Sequence, residues 1–216
     1  GRLGGCDVVV AVINGLNSVL ERSRELGFLG PGPVLNHVEH GQGFAKGVDE
    51  PPPRFLDLGS GGGVPGLVLA ALWPAAEVTL LDAGERRCAF LAEAVEELGW
   101  DGRVKVVRER AEDAGRLATL RGTFELVVAR GFGPPAVTAE CGAPFLRVGG
   151  RLVVSEPPAH AGEGAVRWPA AGIAMLGLAL VREWLEPFHY RAFVLDRPCP
   201  ERYPRRVGIP AKRPLF

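Results

Sequence analysis

The stretch Arg54-Phe-Leu-Asp-Leu-Gly-Ser-Gly-Gly-Gly-Val-Pro-Gly66 sets the tightest limit on what this chain can fold into. Phe55 to Leu58 is a short apolar run carrying one acid, Asp57. Gly59, Gly61, Gly62 and Gly63 follow at once, and Pro65 stands before an amphipathic run from Leu67 to Leu72. The order reads as strand, tight turn, helix N-terminus. Glycine is required where a chain turns sharply or where a ligand comes too close to the backbone for a Cβ. Proline suits the first helical turn, where its missing N–H costs nothing. A dinucleotide fingerprint needs G-x-G-x-x-G. Counted from Gly59 the last glycine falls on Val64; counted from Gly61 it falls on Gly66 and leaves Pro65 inside the turn. The spacing that fits is acid-x-Gly-x-Gly-x-Gly, with Asp57, Gly59, Gly61 and Gly63. A structural turn in another α/β protein satisfies the same local chemistry, so the rest of the chain has to discriminate.

That spacing resembles motif I of the class I S-adenosylmethionine (SAM) methyltransferases. The resemblance implies SAM as cofactor, held along Asp57, Gly59, Ser60, Gly61, Gly63 and Val64. Downstream, strand-like and helix-like periods alternate. Expected strands are Glu77–Leu81 ending at Asp82, Arg103–Val107, Phe124–Val128 and Arg151–Val154. Expected helices are Glu85–Leu98, a short stretch at Ala114–Leu120, and Pro134–Leu146, with Gly149-Gly150 turning into the fifth strand. Such alternation predicts a parallel sheet with helices on both faces. Leu178–Glu186 and Tyr190–Asp196, separated by Pro187, read as a hairpin closing one edge antiparallel. The expected fold is therefore α/β: a Rossmann-like class I SAM-dependent methyltransferase fold, mostly parallel with an antiparallel edge hairpin. Residues 1–50 read as an N-terminal helical segment, 51–196 as the SAM-binding domain and 197–216 as a basic C-terminal tail. In the first segment Asp7–Leu26 has a helical period with Asp7 as N-cap, and Val34–Phe44 follows with His37 and His40 on one face.

The 216 residues, 47% hydrophobic, suffice for one full core with a small appendage. The formal net charge is zero, so nucleic acid is not drawn in by a global field and any RNA affinity must be local. Cys6, Cys88, Cys141 and Cys199 form no C-x-x-C pair, which argues against structural zinc or a disulfide framework and for reduced thiols in the cytoplasm. His37 and His40 lack a third ligand nearby, so no metal is expected. No apolar run reaches membrane-span length, and Gly1–Gly5 has no apolar core of a signal peptide.

In a doubly wound sheet, ligands sit at the carboxyl ends of the strands. Asp82 and Ala83 end the second strand, Arg110, Ala111 and Glu112 follow the third, and Arg130 follows the fourth. An acid at Asp82 is placed to accept from ribose hydroxyls, or alone would cap the helix at Glu85. Glu112 reads as an adenine contact or as a cap of its own helix. A cleft arginine needs an acid, so Arg130 is the candidate for the active site, with Asp57 or the SAM carboxylate as partner.

Taken in order, Leu80-Leu-Asp-Ala-Gly-Glu-Arg-Arg87 with Phe90-Leu91, Arg110-Ala-Glu112 and Val127-Val-Ala-Arg130 resemble successive motifs of the glucose-inhibited division protein B family. The tail Arg202–Leu215 is similar to that family's Tyr-Pro-Arg-x-x-Gly-x-Pro-x-Lys-x-Pro signature, and His37 matches its amino-terminal histidine loosely. The resemblance implies a SAM-dependent guanine-N7 methyltransferase of small-subunit ribosomal RNA, with ribosomal RNA or the small subunit as partner. It also implies SAM contacts at Gly59, Val64, Ala111, Glu112 and Arg130. The chain departs from the family at His40-Gly41, where Asp-Ser is usual, and at Ser155-Glu-Pro-Pro158, where lysine-glycine is usual. Arg202, Arg205, Arg206, Lys212 and Arg213 are the expected phosphate contacts, on a tail extended along the domain or along RNA. Two other readings stand beside this one: a small-molecule methyltransferase and a non-catalytic ribosome assembly protein.

Overall fold

The computed structural model describes residues 5–157 and 167–216, with backbone alone for 5–13. Seven strands form one sheet in the order β3-β2-β1-β4-β5-β7-β6. They are β1 (Arg54–Leu58), β2 (Glu77–Asp82), β3 (Val104–Arg108), β4 (Phe124–Ala129), β5 (Leu146–Glu156), β6 (Leu178–Trp184) and β7 (His189–Leu195). The first five pair in parallel, and β7 then pairs antiparallel with both β5 and β6. The expected edge hairpin is present. The chain order reverses between β1 and β4, which opens the crevice where the glycine turn, the end of β2 and the start of the β4–β5 connection meet.

Strand periodicity divides the core in two. Phe55, Leu126 and Val128 join one cluster, beneath α1 (Gly5–Glu25), α2 (Val34–Gly43), α3 (Gly66–Leu72) and α4 (Glu85–Glu97). Leu56, Leu58, Val127 and Ala129 join the other, beneath α5 (Ala111–Ala114), α6 (Pro135–Gly142) and α7 (Ala170–Ala174). Alternate side chains of a strand point to opposite faces, so a chain covered on both faces must read as nearly continuous apolar runs.

Several boundaries differ from expectation. The helix after β4 stops at Gly142, followed by a single 3-10 turn at Ala143–Phe145, and the chain is already strand at Leu146. Gly149-Gly150 is a bulge inside β5, because the β4–β5 register jumps from Phe124↔Leu146 to Leu126↔Arg151. The short helix after β3 occupies Ala111–Ala114, not Ala114–Leu120. Asp7 lies inside α1, which begins by Gly5, so it is not the N-cap. A short α8 (Ile209–Lys212) forms in the tail, where no period was legible.

Candidate functional site

A cavity of about 570 Å³ opens at the strand carboxyl ends, within the range of roughly 300–1,000 Å³ typical of small-molecule sites. Gly59, Ser60, Gly61, Val64, Asp82, Ala83, Ala111, Glu112 and Arg130 line it. Segments after four different strands thus converge as the alternation required. Asp57 and Gly63 do not line it; they hold the turn from behind.

Gly59 adopts φ +72°, and a Cβ there would sit 2.7 Å from the Phe132 ring. Asp57 is wholly buried. Its Oδ2 accepts the Gly66 N–H at 3.0 Å, tying β1 to the start of α3. A Cβ on Gly66 would fall 2.5 Å from that same oxygen, so only glycine lets the helix approach. Desolvation raises the Asp57 carboxyl to about 7, against the Gly66 N–H. Among the described residues Asp57 makes no ion pair with Arg130, although their charges act on one another, which leaves the SAM carboxylate as the other expected partner. Asp57 lies under the turn, and its Oδ1 is buried with no partner.

Asp82 organises the cavity rim. Its Oδ2 accepts the Gly61 N–H at 2.9 Å, and its Oδ1 accepts the Gly84 N–H at 2.7 Å and two Arg87 nitrogens at 3.0 and 2.7 Å. Burial pushes Asp82 up, but the Arg87 guanidinium and the two backbone N–H groups outweigh it and hold the carboxyl below its ordinary range. Oδ2 keeps a lone pair free for a ligand hydroxyl.

Arg130 turns toward the N-terminal segment. Its Nη1 lies 3.3 Å from His37 Nδ1, while His37 Nε2 lies 3.0 Å from the Gly30 carbonyl. The carbonyl can only accept, which assigns the proton to Nε2 and leaves Nδ1 to accept from arginine. Burial lowers the Arg130 pKa, opposed by the charge on Asp57. His40 stacks on Phe188 with centroids 4.2 Å apart. Desolvation, with Arg130 and His37, drops its pKa to about 4, so it is neutral at pH 7. Both histidines are half-buried. They line a second cavity of about 860 Å³ that shares Arg130, Gly131, Phe132, Gly133 and Pro134 with the first. His37 lies 93 residues from Arg130 in sequence, and only its loose family match hinted at a role.

The tail corrects one expectation. Arg205 is not free for phosphate, because its backbone N–H, Nε and Nη2 all donate to Glu140, at 2.8, 2.8 and 2.6 Å. Tyr203 and Pro204 are buried, and Arg121 donates to the Tyr203 carbonyl at 2.7 Å. Gly208 N–H reaches Glu112 Oε1 at 3.0 Å, and Ala211 lines the first cavity. Glu112 therefore anchors the tail rather than capping its own helix. Arg202, Arg206, Lys212 and Arg213 remain exposed. In the Ser155–Pro158 segment, Ser155 and Glu156 line the second cavity; Pro158 lies outside the described residues.

Sheet order, glycine turn and rim acid define a class I methyltransferase fold. Solved structures of the same shape include cofactor-bound Rv0187 from MTB, with TM-score 0.62, 17% identity and coverage of 85% of this chain and 90% of that one. The pyocyanin biosynthetic protein PhzM also matches, with TM-score 0.56, 17% identity and coverage of 74% and 54%. At these identities the likeness concerns fold alone. The chain belongs to the rRNA small subunit methyltransferase G family, whose model matches residues 34–159. Curated relatives named ribosomal RNA small subunit methyltransferase G include one from Moorella thermoacetica, 37% identical over 172 residues, spanning 76% of this chain and 70% of that protein. Another, from Symbiobacterium thermophilum, is 39% identical over 195 residues, spanning 84% and 78%. This is the family that the ordered motifs resemble.

Proposed function

We propose that this protein transfers the methyl group of SAM to guanine N7 of small-subunit ribosomal RNA, acting in the cytoplasm. The observation that carries the reading is the pair of cavities meeting at Arg130–Pro134. The first suits the cofactor: Gly59 and Gly61 at positive φ leave room for a ligand, Asp82 Oδ2 offers a ribose acceptor, and Ala111–Glu112 flank the adenine side. SAM, when bound, supplies an electrophilic methyl on a sulfonium. Guanine N7 already has an exposed lone pair, so no general base is needed and none is assigned. The protein's task is to hold donor and acceptor in line, which is worth up to roughly 7–11 kcal/mol in favourable cases. Arg130 faces both cavities from the shared wall and is the residue assigned to that alignment. The exposed Arg202, Arg206, Lys212 and Arg213 lie on the tail that reaches the first cavity, in position to receive RNA phosphates.

The test is to incubate the protein with methyl-labelled SAM and, separately, naked ribosomal RNA, assembled small subunits and a metabolite extract, then digest any labelled RNA to nucleosides. Label recovered as 7-methylguanosine from small-subunit RNA is the expected result. Label confined to the metabolite extract makes the protein a small-molecule methyltransferase. SAM binding with no labelled acceptor makes it an assembly factor.

A further inference from the structure

The second cavity contains a polar pattern that the methyl-transfer reading does not itself require. Glu156, at the end of β5, is a buried carboxylate whose side chain is only 3% exposed, yet it lines this cavity. Its Oε2 accepts Arg167 Nε at 2.6 Å, and its Oε1 accepts Trp168 Nε1. A carboxylate has about four acceptor sites. Among the described residues two are used, one on each oxygen, and the ion pair with Arg167 offsets the cost of burying the charge. Trp168 is in turn fixed against Phe193, with centroids 4.6 Å apart. The acid is thus held in place by its neighbours at the cavity lining.

We infer that this cavity is a guanine-base pocket, in which Glu156 reads the Watson–Crick edge and Arg130 the O6 atom. The inference rests on the proposed methyl transfer at the shared wall. If N7 faces the first cavity, the adjacent O6 lies beside the wall, where Arg130 offers a donor. The opposite edge of guanine carries N1–H and N2–H₂, two donors. It then points into the part of the cavity that the cofactor side does not share, where Glu156 offers acceptors. Adenine inverts both signs, presenting an amino donor toward arginine and the bare N1 acceptor toward the carboxylate. Enzymes that modify an extruded base read it in this manner, with stacking on flat side chains. Phe132 and Phe188 line the cavity for that purpose, the latter already stacked on neutral His40.

The experiment has two arms. Saturation-transfer NMR titrations of wild-type protein with guanosine, inosine and adenosine monophosphates, in excess S-adenosylhomocysteine, should rank the dissociation constants guanosine tightest, inosine weaker and adenosine weakest. Inosine lacks only the 2-amino group, so the first step of the ranking reports on Glu156. In the second arm, Glu156→Gln should lower kcat/KM on small subunits about tenfold to a hundredfold. It should leave SAM affinity unchanged and abolish the preference for guanosine over inosine. Equal binding of the three nucleotides by wild-type protein overturns the proposal without any variant. So does a Glu156→Gln protein that melts lower yet keeps the guanosine preference, which marks the acid as a scaffold for Trp168. If wild-type protein prefers guanosine but labels no ribosomal RNA, the pocket stands and the proposed RNA substrate falls.

Discussion

Arg205→Ala separates a tail that braces the domain from one that only carries charge. Glu140 is fully buried, and among the described residues all three of the donors it receives come from Arg205. Removing the guanidinium leaves a buried carboxylate with one backbone N–H. Breaking a buried ion pair on one side costs about 3–5 kcal/mol, because the remaining charge is neither solvated nor paired. In a protein of this size each kcal/mol moves the melting temperature roughly 2–4 °C, so a fall of roughly 6–20 °C is expected by scanning calorimetry. Glu140→Leu combined with Arg205→Leu should recover most of that loss, since no charge is then left unpaired. The tail also delivers the Gly208 N–H to Glu112 and Ala211 to the first cavity, so Arg205→Ala should weaken SAM binding in isothermal titration at a temperature where the variant is folded. A melting temperature within about 2 °C of wild type, or a double variant no more stable than the single one, refutes the argument.

Asp82→Ala should weaken SAM binding by about 1–3 kcal/mol, the cost of removing a charged acceptor from the rim; unchanged calorimetric affinity removes Asp82 from the cofactor site. The Asp57 carboxyl is raised in the fold to about 7, so its contribution to stability is fully present below pH 4 and is lost as pH rises through 7. The loss is at most roughly 4 kcal/mol, and Asp57→Asn should lack it; urea unfolding at pH 5 and pH 8 that shows the same pH dependence in both proteins contradicts the assignment. Arg206→Ala with Lys212→Ala should reduce the log–log salt slope of RNA binding by roughly 0.7–0.9 per lost phosphate contact, with the melting temperature unchanged. A lower melting temperature with an unaltered slope would place these two residues in the brace as well.

The alternation of short apolar runs with helical periods was enough to specify a parallel sheet, its edge hairpin and the gathering of Gly59, Asp82, Ala111 and Arg130 at one end. These follow from local chemistry repeated along the chain: period-two burial on both faces, glycine where the turn is tight, and a topological rule that sends every strand's carboxyl end to the same side. Boundaries were less legible. The 3-10 turn at Ala143–Phe145 and the bulge at Gly149-Gly150 replaced a longer helix and a clean turn, because sheet register, not propensity, decided where β5 begins. The tertiary structure alone decided which charges are working surface and which are mortar. Arg205 and Glu140 lie 65 residues apart, Arg130 and His37 lie 93 apart, and Glu156 takes its meaning from a cavity built by five separate segments. Nothing periodic records such pairs, since each is a single contact that matters because burial would leave either partner alone neither solvated nor paired. Burial is a property of the packed fold, so Arg205 reads as one more basic residue in the tail until Glu140 closes over it.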